Sequence, residues 1–425
     1  MFFKKNKTEE LKEEPLGYWE KESYMQIVPE TPAGEFLDSM CERVSKIEGV
    51  EILEESKLTQ KEPGRIRLKY DGEEYEVGYY PSRFSLPEMY INRNYFFTEN
   101  EAERLRKAEG ALTIFMEFRE NSKKSYHLQL KIAAAMIPSL IGIMDESAEK
   151  MLPPSWVKMA AESKVLPAAT DLFTVQAVSS ESGEVWLHTH GLCRCGVTEL
   201  EILQSDRENY NNHYNLISTL ASYLLDKRAE PGESAYIGVL SDRRPVVAAY
   251  VPWTEGLGEY KNLGLGGLSD RQDGHRSKTS IIFIYQSEED ENQGKLSKVS
   301  VYNDLWGDNP IFFISDEETD RMKALAEERF DFVKEAAKNE ENKIIIKIGL
   351  HVDNAGSGHD REHIWFELIG FEGDKFRAKL IQEPYDVKDM HEGDEGLYTV
   401  SDITDWIIYT PDFAVNPGTA YLLKR

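Results

Sequence analysis

RIRLKYDGEEYEVGYY, residues 65–80, reads as two strands on either side of Asp71-Gly72, the dipeptide preferred in two-residue type I′ hairpin turns. Working outward, Val50 to Leu53 forms a further strand. Before it, a Thr-Pro start at residue 31 opens a helix on which Leu37, Met40, Val44 and Ile47 recur at helical spacing. That helix carries Cys41 as a buried structural thiol. Downstream, a charged helix over 99–107, a strand over Ala111 to Phe118, a helix through Leu128 to Ala135 and a strand over Ser139 to Ile143 continue the alternation up to Pro153-Pro154. The pattern predicts helices packed on one sheet. Residues 1–30 are charged and weakly patterned, and read as an N-terminal arm, either mobile or docking as a strand, before an α+β domain over 31–165.

A second α+β domain is expected over 166–290. Its strands lie at Asp171 to Val178, Glu184 to His190 and Glu199 to Leu203, followed by a helix over about 206–228 with Tyr210, Tyr214, Ile217, Ala221 and Leu224 on one face. Strands near 235–240, 246–251 and 280–285 complete it, with a glycine-rich surface loop over 256–274 and a polar linker over 288–295. The third unit, 296–425, opens on a helix whose start, Ser315-Asp316-Glu317-Glu318, has capping-box spacing. Short strands then recur, two of them joined as a hairpin by Glu372-Gly373-Asp374. The fold class is therefore α+β and multidomain: helices packed on mixed or antiparallel sheets, with a small β-rich C-terminal module.

Composition narrows the function classes. The 425 residues hold 76 acidic and 50 basic side chains, a formal charge of −26. Such a charge repels a phosphate backbone, so no nucleic acid partner is expected, and a basic protein is the partner the field favours. Three cysteines are too few for a disulfide framework and fit a reducing compartment, so the expected location is cytoplasmic. No apolar segment follows the basic start at residues 4–7, and the most apolar stretch, Ile132 to Met144, is too short to span a bilayer. No signal peptide and no membrane association are expected.

The densest chemical constellation runs from His188 to Gly196 and gathers two of nine histidines and two of three cysteines. On an extended strand His188 and His190 share a face with Trp186, about 7 Å apart, and both reach one ion. His188, His190, Cys193 and Cys195 are thus the metal candidates, zinc being the ion such a set would take. Glu199 and Glu201, two residues apart on the next strand, are candidate bases for activating water. Against this, structural zinc sites space their cysteines by two to four residues, whereas Arg194 alone separates this pair. A structural role without a cofactor is the competing reading. The glycines of 256–274, followed by Arg271, Arg276 and Lys278, have the composition of a phosphate loop but lack its Gly-Lys-Ser/Thr. In the third unit His359, Asp360, Glu362 and His363 form a looser cluster, while Trp365, Trp406 and His363 are the binding-surface candidates.

Glu362-His363-Ile364-Trp365, Gly373-Asp374-Lys375-Phe376, Glu383-Pro384, Gly393-Asp394 and Ile403-Thr404-Asp405-Trp406 resemble a bacterial domain of unknown function, family number 2314. The preceding region, with Trp186-Leu187-His188-Thr189-His190-Gly191-Leu192 and Glu199-Leu200-Glu201, is similar to family number 4026. The resemblance implies a modular bacterial protein and brings no catalytic residues with it. The expected function is a non-enzymatic protein-binding or interaction protein, one concrete form being immunity-type neutralisation of a basic partner. The alternative is a metal-assisted hydrolase built on His188 and His190.

Overall fold

Both central residues of the 71–72 turn adopt positive φ, 47° at Asp71 and 86° at Gly72, as a type I′ turn requires. Around that hairpin the computed structural model describes residues 22–31, 33–92, 94–271, 279–307, 310–353 and 361–424. The first sheet contains β1 (Glu22–Pro29), β2 (Val50–Ser56), β3 (Gly64–Tyr70), β4 (Glu73–Arg83), β5 (Gly110–Glu117), β6 (Leu140–Asp145) and β7 (Lys150–Leu152). Its order is β2-β3-β4-β5-β1-β6-β7.

Part of the expected N-terminal arm is therefore an inner strand. Residues 22–29 pair with β5 on one side and β6 on the other, and Met25 and Ile27 are fully buried. The physical reason is local alternation: Ser23, Met25 and Ile27 point inward between outward Tyr24 and Gln26. Residues 1–21 lie outside the described part.

The helices α1 (Met40–Val44), α2 (Glu99–Lys107), α3 (Ser122–Met136) and α4 (Pro154–Glu162) accompany this sheet. Thr98 and Glu101 form the capping box of α2, and the Asn121 side chain caps α3 by accepting from the Lys124 amide. Pro153-Pro154 does not close the unit. Pro154 occupies the first turn of α4, where its missing N–H costs nothing, and α4 packs against α3. Cys41 does lie in α1, its thiol pushed up to about 11 chiefly by burial.

The second sheet is mixed. It is built from β8 (Thr174–Ser179), β9 (Val185–His190), β10 (Glu199–Ser205), β11 (Ala235–Val239), β12 (Pro245–Pro252), β13 (Thr279–Tyr285), β14 (Ser297–Lys298) and β15 (Ile311–Phe312). The main path runs β15-β11-β12-β13-β10-β9-β8, with β10 and β13 parallel. On one face, α5 (Tyr210–Lys227) buries Leu216, Ile217, Leu220, Ala221 and Leu224 against Leu187, Leu200 and Ile202.

The other face carries Trp186, Leu203, Ile281 and Phe283. It is covered by α6 (Trp253–Gly256) and by the chain that follows, which brings Leu257, Tyr260, Leu263 and Leu265. The glycine-rich stretch was expected to be a surface loop. As far as Arg271 it is instead a packed cover, while Arg276 and Lys278 lie outside the described residues. The expected polar linker contains a short helix, α7 (Glu288–Asn292), whose Ser287 cap accepts from the Asp290 amide.

In the third unit, α8 (Asp316–Glu328) and α9 (Phe330–Ala336) lie on one face of an antiparallel sheet. Its strands are β16 (Lys343–His351), β17 (Arg361–Glu372), β18 (Lys375–Leu380), β19 (Glu395–Tyr398), β20 (Ile403–Tyr409) and β21 (Ala414–Val415), in the order β19-β18-β17-β16-β20-β21. The chain is thus α+β and multidomain, as its sequence predicts. One feature was not expected. The apolar core of the third unit is continuous with that of the first: Trp156, Met159 and Ala160 of α4 belong to one cluster with Ala420, Tyr421, Trp406 and Phe330. The Tyr421 hydroxyl accepts from the Phe96 amide at 3.1 Å.

Candidate functional site

His188 and His190 do share a face of β9, with ring centroids 5.0 Å apart and Trp186 4.4 Å beyond His188. Alternation on a strand produces this row. Most of the row is withdrawn from solvent: Trp186 and His188 are buried, and His190 is the more accessible end. Among the described residues no group of three or more His, Cys, Asp or Glu side chains converges on a point where an ion could sit.

The two glutamates are equally committed. Glu199 Oε1 accepts from the amides of Gly191 and Cys193, both at 2.9 Å, and its Oε2 accepts from Thr189 Oγ1 at 2.7 Å. Glu201 Oε2 accepts from Trp186 Nε1 at 2.9 Å, and its Oε1 accepts from Arg271 Nη2 at 2.6 Å. Burial pushes both carboxyls upward, and the donors around them pull back. A carboxylate that activates water needs an oxygen turned to the substrate. Glu199 instead folds the loop after β9, and Glu201 pins Arg271 and the cover segment to the sheet.

The loop that Glu199 holds has a purpose visible in its geometry. It presents Arg194 to the first unit, where the guanidinium is fully buried and meets Asp145 bidentately at 2.7 and 2.9 Å. The same guanidinium donates to Ser23 Oγ at 2.9 Å and to the Leu172 carbonyl at 2.7 Å, and lies over the rings of Phe118 and Tyr126. Gly191 is needed where it stands: its φ is 111°, and a Cβ there would come within 2.5 Å of the Leu172 carbonyl oxygen. His190 Nδ1 adds a second link across the seam, 3.4 Å from Glu149 Oε1. Cys195 is buried and its thiol is pushed up to about 11, chiefly by burial, which makes it a poor nucleophile. The segment that carries the metal candidates is thus the fastening between the first and second units.

The third unit's candidates separate. Trp406 points into the shared core, fully buried, and its Nε1 donates to the Ala326 carbonyl at 3.1 Å; it offers no binding surface. Trp365 lies on the opposite face, half-buried beneath Lys347, whose Nζ is 5.4 Å from the ring centroid. His363 is exposed, with Nδ1 3.1 Å from Thr404 Oγ1. Glu362 is not a ligand in waiting, since its two oxygens accept from the amides of Tyr385 and Asp386, each at 2.8 Å. His359 and Asp360 lie outside the described residues.

Two features escaped sequence reasoning. One is the edge of the second sheet at β15, where Tyr236, Ile311, Phe313 and Ile314 stand exposed together. A run of consecutive apolar residues at 311–314 beside a two-residue strand was the available signal. The other is Arg329, buried at the C-terminal end of α8. It looked like an ordinary helix-end cation.

Comparison with known proteins matches residues 23–167 to the N-terminal part, and residues 175–283 to the C-terminal part, of a protein of unknown function, DUF4026. Residues 316–421 match DUF2314, described as an uncharacterized protein conserved in bacteria. No curated protein and no solved structure matches the chain.

Proposed function

We propose that this chain, a DUF4026 protein carrying a DUF2314 domain, is a non-enzymatic binding protein that captures a basic protein partner along the β15 edge. One observation carries the reading. Tyr236, Ile311, Phe313 and Ile314 are 51%, 60%, 41% and 61% exposed and lie side by side, the rings of Tyr236 and Phe313 being 5.1 Å apart. Contiguous large apolar groups on a soluble surface mark contact sites.

The position adds a backbone component. β15 ends the second sheet, so among the described residues no further strand lies on its outer side. An extended segment of a partner can add there as a strand, with apolar side chains seated on Ile311 and Phe313. The −26 charge of the chain favours a partner whose flanking residues are basic, through faster encounter and like-charge exclusion of acidic competitors. Neutralisation of a basic toxin or nuclease is one form this takes. The partner binds cytoplasmically in this reading.

The test uses the full chain and fluorescent extended peptides that alternate apolar residues with lysine, or with glutamate in the control set. Lysine peptides should bind more tightly, lose affinity with added salt, and lose it again in the Ile311→Asp, Ile314→Asp double variant. Equal binding of both peptide sets, or binding indifferent to the double variant, sinks the proposal. Concentration-dependent self-association abolished by the same variant would assign the edge to a second copy of the chain.

A further inference from the structure

Where the first and third units meet, a cleft of about 360 Å³ opens between α4, the 163–171 segment, α8 and the turn at 416–419. Its volume lies in the range of small-molecule sites, roughly 300–1,000 Å³, and unit junctions are where such sites concentrate. One wall is aromatic: Tyr95 and Trp156, with centroids 4.7 Å apart. The opposite wall is a stripe of α8 that includes Glu318, Arg321, Met322 and Leu325 and ends at Arg329.

Arg329 is 8% exposed, and the pattern of its hydrogen bonds is incomplete. Nη1 donates to the Pro417 carbonyl at 2.6 Å, while Nε is buried with no hydrogen-bond partner. The Arg194 Nε is unpartnered as well, so the difference lies in the carboxylate: Arg194 meets Asp145 at 2.7 Å and Arg271 meets Glu201 at 2.6 Å. Glu328 and Asp171 act on Arg329 only through space, and a buried cation with no carboxylate in direct contact is costly unless something else completes the pair.

The acids nearby are occupied. Glu328 Oε1 and Oε2 accept from Ser163 Oγ at 2.7 Å and the Lys164 amide at 2.8 Å. Asp171 accepts from the Tyr95 hydroxyl at 2.7 Å and the Ala168 amide at 2.8 Å. Arg321 is paired with Glu318 through two contacts of 2.7 Å. Asp405 Oδ1 accepts from its neighbour's amide at 2.8 Å, and burial pushes this carboxyl upward. Burial also holds the Arg329 guanidinium down at about 10, the direction expected of a cation lacking a close partner.

We propose that this cleft binds a small monocarboxylate with a flat apolar body, its carboxylate on the Nε side of Arg329 and its body against Tyr95 and Trp156. One negative charge matches the one buried guanidinium among the described residues with no carboxylate in direct contact. Asp171, Glu318 and Asp405 in the lining repel a phosphate dianion more strongly than a monoanion. Arginine takes carboxylates through paired N–H donors, and the aromatic wall supplies the apolar contact that fixes orientation.

The experiment titrates the full chain with benzoate, benzylamine and inorganic phosphate, following tryptophan fluorescence and heat. Benzoate should bind saturably, with Kd near or below about 1 mM, and better than either other probe. Arg329→Met should weaken benzoate by at least about tenfold, because it removes the charge-assisted pair. Since that change also releases the Pro417 carbonyl, Asp405→Asn is the second variant. It removes an anion from the cleft and should tighten benzoate. Benzoate binding that is absent up to about 10 mM, weaker than phosphate or benzylamine, unaffected by Arg329→Met, or weakened by Asp405→Asn overturns the assignment.

Discussion

Arg194→Met asks directly whether the segment 188–196 is a fastening. Methionine keeps the length of the stem and deletes the guanidinium, leaving Asp145 buried with the Ala148 amide as a donor and the buried Lys150 ammonium as the nearby charge that remains. Removing one partner of a buried ion pair costs about 3–5 kcal/mol, most of it the desolvated charge left behind. The companion Arg194→Met, Asp145→Leu double variant removes both charges, and a buried pair replaced by apolar groups is often close to neutral. It should therefore recover most of the loss. Urea unfolding read by tryptophan fluorescence gives the energies, and hydrogen exchange at β6 and at 191–196 places them at the seam. A single variant within about 1 kcal/mol of wild type, or a double variant no better than the single, would refute the reasoning.

Acid should act through two buried imidazoles. His127, against Lys131 and the Ala160 carbonyl, and His213, between Ser205 and Asn303, are each pushed down from 6.5 to about 4, chiefly by burial. The unfolded chain therefore takes up protons first, and stability falls between about pH 6.5 and 4 by up to about 3 kcal/mol per histidine; His127→Gln should flatten the urea midpoint across that window, and an unchanged slope would exclude it. Trp406→Ala should cost about 3–5 kcal/mol and expose α8 amides along with β20, whereas Trp365→Ala on the half-buried outer face should cost less than about 1 kcal/mol; equal losses would contradict the assigned faces. Generic duplex DNA should bind only weakly at physiological salt, and submicromolar, salt-sensitive binding would point to a hidden cationic face.

The hairpin at 65–80, the helix over 99–107 and the turn at 372–374 were legible because turn chemistry and caps act within a few residues. β1 was hidden: its pairing partners β5 and β6 come some 80 residues or more later, and charged neighbours masked its short alternation. The role of the 188–196 segment was hidden for a related reason. That His188 and His190 share a face follows from strand geometry, but the meaning of Arg194 depends on Asp145, 49 residues away in another unit. Glu199 looked like a base because its three donors, at the end of β9 and in the loop it organises, are recognised only once that chain is folded. Arg329 could not be distinguished from any helix-end arginine until the Pro417 segment and the Tyr95–Trp156 wall were seen around it.

The shared core of the first and third units also governs the order of events during synthesis. The α4 face carrying Trp156, Met159 and Ala160 is complete once residue 167 has emerged, yet Ala420 and Tyr421, which lie in the same cluster, come about 250 residues later. At roughly 5–20 residues per second that interval lasts on the order of tens of seconds. For that time the nascent N-terminal unit displays an apolar face with no cover, while the second unit folds beside it. The burden falls on chaperones and on translation speed, so truncation a few residues before Tyr421 should harm solubility more than the loss of a short terminal turn would suggest.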